Sequence, residues 1–177
     1  HIQQYKKKLD YSAIEKNFSK DPYVLNRKVE AELIPELYKI ETKELDNTND
    51  VRYGNGVCSD YDLFENNSKI LKSVEKDLTK IMTKAVNSDI FIIESFFNIL
   101  RTSSGLTSHN HINDFDTREG LTNKKYSLTY YLSVGDQKSS EPGILKIYDP
   151  IIEMLPSQGT IIIFPSNRQH SVFYNGK

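Results

Sequence analysis

Apolar positions recur at helical spacing over residues 68–86, where Ile70, Leu71, Val74, Leu78, Ile81, Met82 and Ala85 share one face of a 3.6-residue turn. Ser68 stands where an N-cap hydroxyl belongs and Asn87-Ser88-Asp89 closes the pattern, so the spacing predicts an amphipathic helix. Beyond Asp89 the pattern changes. Ile90-Phe91-Ile92-Ile93 and Phe96-Phe97-Asn98-Ile99-Leu100 are β-branched and aromatic, and too short for another helix before Gly105. Further strands are predicted over 126–134, 144–148, 160–164 and 171–174. Gly135-Asp136, Glu141-Pro142-Gly143, Asp149-Pro150, residues 156–159 and Pro165-Ser166-Asn167 separate them as turns.

Upstream the pattern is weaker. Val29, Leu33, Leu37 and Ile40 keep helical spacing within 29–45, but Pro35 interrupts it, which predicts one or two short helices. Residues 46–50 read as loop and Tyr53-Gly54-Asn55-Gly56 as a turn. Helices first and strands afterwards predict an α+β, mainly β chain forming one domain over 1–177. A mainly helical support region at 1–88 packs outside a sandwich or barrel built from 89–177.

Composition narrows the function. With 177 residues, 37% of them hydrophobic, the chain has the material for a real core and is not a disordered polymer. A formal net charge of -1 supplies no positive field, so neither nucleic acid nor an anionic membrane is expected as a partner. The lone Cys58 excludes an internal disulfide framework and multi-cysteine metal motifs. No apolar run approaches the ~18 residues of a membrane helix. The polar, basic residues 1–8 have no apolar stretch behind them, so no secretory signal is read and a cytoplasmic location is expected. The first residue is not Met, which points to a fragment or processed product.

The candidate chemistry lies in the histidines. His1 is terminal, and the other three, His109, His111 and His170, all fall in the strand-rich half. His109 and His111 are two apart, so on an extended strand both imidazoles project from one face. Alone such a pair is weak evidence, more often structural than ligating, and only a third histidine brings the two readings level. A third imidazole from a distant strand, His170, would complete a three-ligand site that leaves coordination positions open. Asp114 and Asp116 follow in the same segment. Strand alternation points them away from the histidine face, a bend after Ile112 would bring Asp114 back, and the plain reading is that both are solvated in a loop.

Taken in order, several segments resemble the iron(II)- and 2-oxoglutarate-dependent oxygenases, in particular bacterial and phage members distantly similar to prolyl hydroxylases. They are Ser108-His109-Asn110-His111, Tyr126-Ser127-Leu128-Thr129-Tyr130-Tyr131-Leu132, the stretch from Pro142-Gly143-Ile144-Leu145 to Asp149-Pro150, and Gly159-Thr160-Ile161-Ile162-Ile163-Phe164-Pro165 with His170-Ser171-Val172 after it. The resemblance covers roughly residues 95–177 and implies a double-stranded β-helix, a jelly roll of cupin type, flanked by N-terminal helices. It sets His109 at the first histidine, His111 at the position usually held by a carboxylate, and His170 at the distal histidine. It also implies the cofactors, iron(II) and 2-oxoglutarate, and the activity, hydroxylation of a C–H bond with dioxygen.

Two departures stand out. His111 puts a neutral imidazole where the family usually has an anion. Members also place an Arg after the distal histidine, whose planar fork pairs with the far carboxylate of 2-oxoglutarate. Here Lys177 is the only basic residue beyond His170, which implies that the chain stops before that group. Within the chain, Tyr131, Ser127 and Arg168 are the candidates to contact the co-substrate, whereas Tyr126 and Tyr130 read as sheet packing. The substrate is expected to be a small molecule or a peptide, with the polar loop over 112–125 as a lid. A cupin-like three-histidine metalloenzyme without 2-oxoglutarate and a non-catalytic β-sandwich binding module are the competing readings. Nucleophilic catalysis is unsupported, since no G-x-S-x-G elbow or phosphate-binding glycine loop occurs.

Overall fold

The structure, a computed structural model, describes residues 21–40 and 56–176, excluding the side chain of Val57. The turn read at Tyr53-Gly54-Asn55-Gly56 and the loop read at 46–50 fall mainly outside these residues.

Helix α1 (Leu33–Tyr38) is short, and Pro35 lies in its first turn. There the missing N–H would have had no helical partner, so proline starts this helix instead of breaking it. Helix α2 (Lys69–Val86) buries Leu71, Val74, Leu78, Met82 and Val86, the stripe the periodicity predicts, and ends at Asn87 in the left-handed conformation (φ 51°). Ser68 makes no side-chain cap. Its hydroxyl bonds Glu36 instead, and that bond holds the Glu36 carboxyl below the ordinary range.

Two antiparallel sheets carry the rest of the architecture. The first has strand order β1 (Tyr23–Asn26), β8 (Thr160–Pro165), β5 (Tyr126–Tyr130). The second runs β4 (Ser104–His109), β9 (His170–Tyr174), β6 (Pro142–Ile147), β7 (Ile152–Met154). A small ribbon pairs β2 (Val57–Cys58) with β3 (Asn98–Ile99). Strand β8 is buried along its whole length. Its alternation explains why: Ile161 and Ile163 join the α1/α2 cluster, whereas Ile162 and Phe164 pack on Leu145 and Ile147 of the second sheet. Helices, first sheet and second sheet are therefore three successive layers, and the second interlayer space is a β-sandwich core. Arg27, at the end of β1, ties the first two layers by donating to Asp77 of α2 at 3.0 Å and to the Tyr130 hydroxyl at 3.0 Å.

Several elements differ from expectation. Ile90-Phe91-Ile92-Ile93 forms no strand, and Phe91, Ile92 and Ile93 are exposed. Strands β1 and β7 and helix α3 (Asp114–Arg118) arise where none was predicted. At Gly105 of β4 a Cβ would lie 2.4 Å from the Val172 carbonyl oxygen, so the close seating of β4 on β9 requires glycine there. Among the described residues no helix is long and apolar enough to cross a membrane.

Candidate metal centre

His109 ends β4, and its Cα stands opposite that of His170, the first residue of β9, beyond a register shift that begins at Leu106. His170 also faces Ile147 of β6. Because Leu145 and Ile147 point into the sandwich core, His170 and Val172 point there too, and the His170 ring meets Phe164 at 4.9 Å between centroids. His111 lies two residues past the end of β4, outside the strand on which the pair was expected, and its N–H donates to the Ser166 carbonyl at 3.0 Å. The three imidazoles nonetheless converge. Ring centroids are 4.3 Å apart for His109–His170, 5.0 Å for His111–His170 and 5.1 Å for His109–His111. One nitrogen from each ring lies within 4.8 Å of the others. Phe96 flanks the outer side, 6.4 Å from the His111 ring, with Tyr61 edge-on against it at 4.9 Å.

Backbone carbonyls set the tautomers. His109 Nδ1 is 2.7 Å from the Thr107 oxygen and His170 Nδ1 is 3.1 Å from the Arg168 oxygen. A nitrogen facing a carbonyl at that range carries the proton, so Nε2 of both rings keeps its lone pair for a metal ion. Burial pushes the His170 imidazolium pKa down to about 4; the Arg168 carbonyl opposes the shift, and proximity of His109 adds to it.

A pH dependence follows for the metal-free protein. Folded His170 stays neutral down to about pH 4, while the unfolded chain takes up that proton near 6.5. Between those values the unfolded state holds more protons, so stability falls as pH is lowered, by about 3 kcal/mol in all. Urea unfolding at pH 7 and pH 4.5 in the presence of chelator checks this; a His170→Ala variant is expected to show a flatter dependence.

Three imidazole nitrogens, two of them on rings oriented by backbone carbonyls, fit a first-row divalent ion, iron(II) included, and three protein ligands would leave positions open for other molecules.

The crystal structure of a prolyl-4-hydroxylase from Pseudomonas putida superposes with a TM-score of 0.63, over 95% of this chain and 93% of that one, at 16% sequence identity. The two share a fold. No family model matches the sequence, and no curated protein matches it.

The remaining candidates occupy varied places. Asp114 is exposed in the first turn of α3. Asp116 corrects the expectation of a solvated loop. It is 1% exposed, closes a capping box with Asn113, and its Oδ2 accepts from Lys125 Nζ at 2.9 Å and from the Asn113 N–H at 3.0 Å. With that oxygen engaged, Asp116 does not join the histidine cluster, which consists of His109, His111 and His170. Arg168 is buried; its Nε donates to the Tyr148 carbonyl at 2.6 Å and its Nη2 to that of Pro150 at 2.8 Å, so it braces the turn leading to β7. Tyr131 packs on the inter-sheet cluster around Phe164, where burial pushes its phenol up. Ser127 shares a 2.8 Å hydroxyl–hydroxyl hydrogen bond with Ser166. Tyr126 and Tyr130 pack on the helix-facing core.

Sequence reasoning passed over Phe164, Phe96, Ser166 and Lys125. The one local signal that could have been read is Asn113 followed three residues later by the acid Asp116, the spacing of a capping box.

Proposed function

We propose that this chain is an iron(II)- and 2-oxoglutarate-dependent oxygenase that hydroxylates a C–H bond, with His109, His111 and His170 as the metal ligands. The observation that carries the reading is the convergence of three imidazoles at one end of a β-sandwich core whose fold matches that of a prolyl-4-hydroxylase. On this reading the two sheets are the halves of a double-stranded β-helix. Bound iron would supply activation of dioxygen coupled to oxidative decarboxylation of the keto acid.

The protein's part is geometric. The Thr107 and Arg168 carbonyls hold two rings with Nε2 directed away from their strands. Phe164 beneath His170 keeps the inner side of the centre dry, which strengthens every electrostatic contact made there. Tyr131 and Ser127 belong to the side of β5 opposite Tyr130 and Leu128, toward the second sheet, and are the groups proposed to donate hydrogen bonds to the co-substrate. Arg168 already serves two carbonyls, which favours a bracing role over capture of the far carboxylate. The substrate is proposed to be a small molecule or a peptide.

Anaerobic addition of iron(II) followed by 2-oxoglutarate is expected to produce the visible charge-transfer band of the chelated complex, and a His170→Ala variant is expected to lack it. Iron binding with no band and with turnover independent of 2-oxoglutarate would establish the second reading, a three-histidine metalloenzyme of cupin type. That reading is favoured by one observation: the cluster contains three imidazoles and no carboxylate.

A further inference from the structure

The three histidines are delivered by two different frames. His109 and His170 are register partners across β4 and β9, so the sheet's own ladder fixes their separation. His111 lies beyond that ladder. It is held by a closed ring of hydrogen bonds, none of whose members belongs to β4 or β9. Its N–H donates to the Ser166 carbonyl at 3.0 Å, and the Ser166 N–H donates to the Lys125 carbonyl at 2.9 Å. Lys125 Nζ donates to Asp116 Oδ2 at 2.9 Å, and that oxygen accepts the Asn113 N–H at 3.0 Å. Asn113 is two residues from His111, which completes the circuit. Ser166 is fully buried, and its hydroxyl bond to Ser127 pins the ring to β5. The ion pair is nearly out of water, with side-chain exposures of 11% for Lys125 and 2% for Asp116.

On the basis of the metal-centre reading above, we propose that Lys125, Asp116 and Ser166 are positioning residues that set the third ligand, His111, independently of the sheet that sets the other two. A buried, hydrogen-bonded ion pair loses its geometry when either partner is removed, because the remaining charge seeks water. That movement is transmitted along the ring to the His111 backbone, whereas the β4–β9 ladder has no member in it. Removing the pair therefore loosens one ligand of three.

The test uses cobalt(II) alone, whose visible spectrum reports ligand number, added anaerobically to the full chain. Lys125→Met is expected to weaken cobalt(II) binding about 10–100-fold, the usual effect of disturbing a ligand's support. Its spectrum is expected to move toward that of His111→Ala, and Lys125→Arg is expected to restore both. In the His111→Ala background Lys125→Met is expected to change neither affinity nor spectrum. If Lys125→Met does not fold, Asp116→Asn, whose carboxamide still accepts the Asn113 N–H, takes its place in the same cycle. Equal losses in the two backgrounds would show general destabilisation and overturn the inference, as would unaltered binding in the single variant. Failure of the wild-type chain to bind cobalt(II) would overturn the metal centre itself, a different result from binding that the variants leave untouched.

Discussion

His170→Ala is expected to reduce affinity for iron(II) or cobalt(II) by more than about 100-fold, since it removes a whole ligand where loss of a supporting group alone costs 10–100-fold. His170 is the proposed ligand most committed to the interior: it is buried, opens β9, and has its ring in contact with Phe164 and with the other two imidazoles. Titration calorimetry with the metal reads the loss directly. His109→Ala, on the register partner, is expected to give a comparable loss. Undiminished binding in both variants would place any metal elsewhere in the molecule.

Phe164→Ala is expected to destabilise the fold by about 3–5 kcal/mol, the range for truncating a buried phenyl ring. Against a typical total of about 5–15 kcal/mol, that is a large fraction. The ring is 1% exposed and joins Leu145, Ile147 and Ile162 in the inter-sheet cluster while touching His170. Its removal therefore opens a cavity directly beneath a proposed ligand. A denaturant series gives the stability change, and the same variant is expected to show weakened metal binding. Ile163→Ala is the matched control. Ile163 is equally buried but faces the α1/α2 cluster, so it is expected to cost about 2–5 kcal/mol with metal affinity unaltered. Loss of metal affinity in both would attribute the effect to general loosening of the sandwich.

How far the sequence could be read depended on whether a segment's surroundings were written in the segment itself. Helix α2 was legible because its stripe of Leu71, Val74, Leu78 and Met82 carries its own period. Strands β5, β6, β8 and β9 were legible because turn residues bound each β-branched run. Ile90-Phe91-Ile92-Ile93 and Ile161-Ile162-Ile163-Phe164 have the same composition, three Ile and one Phe, yet the first is largely exposed and the second is covered on both faces. Nothing local separates them; only the layers that arrive from elsewhere do. Strand β1 was illegible because it is a four-residue edge with Val24 and Leu25 exposed, ordered by its pairing with β8. In the site, the histidine pattern pointed to the residues that converge, though His111 reaches the cluster from beyond the strand. Asp116 was misjudged because its burial depends on Lys125, whose return to it requires α3 and the turn after it.

The pairing of β1 with β8 has a consequence for biosynthesis. Tyr23 lies opposite Ile163, so one edge of the central sheet is made near the beginning of translation of this segment and its partner near the end. At typical elongation rates of about 5–20 residues per second, β1 waits on the order of 10 s for β8 to leave the ribosome. Through that interval the apolar stripe of α2 lacks Ile161 and Ile163, which complete its cluster. Such non-local closure slows folding and leaves a sticky helix face uncovered in the nascent chain. The emergence of β8, buried on both sides once in place, is then the event that joins all three layers at once, and pulse-labelling hydrogen exchange during refolding would show β1 and α2 gaining protection together with it.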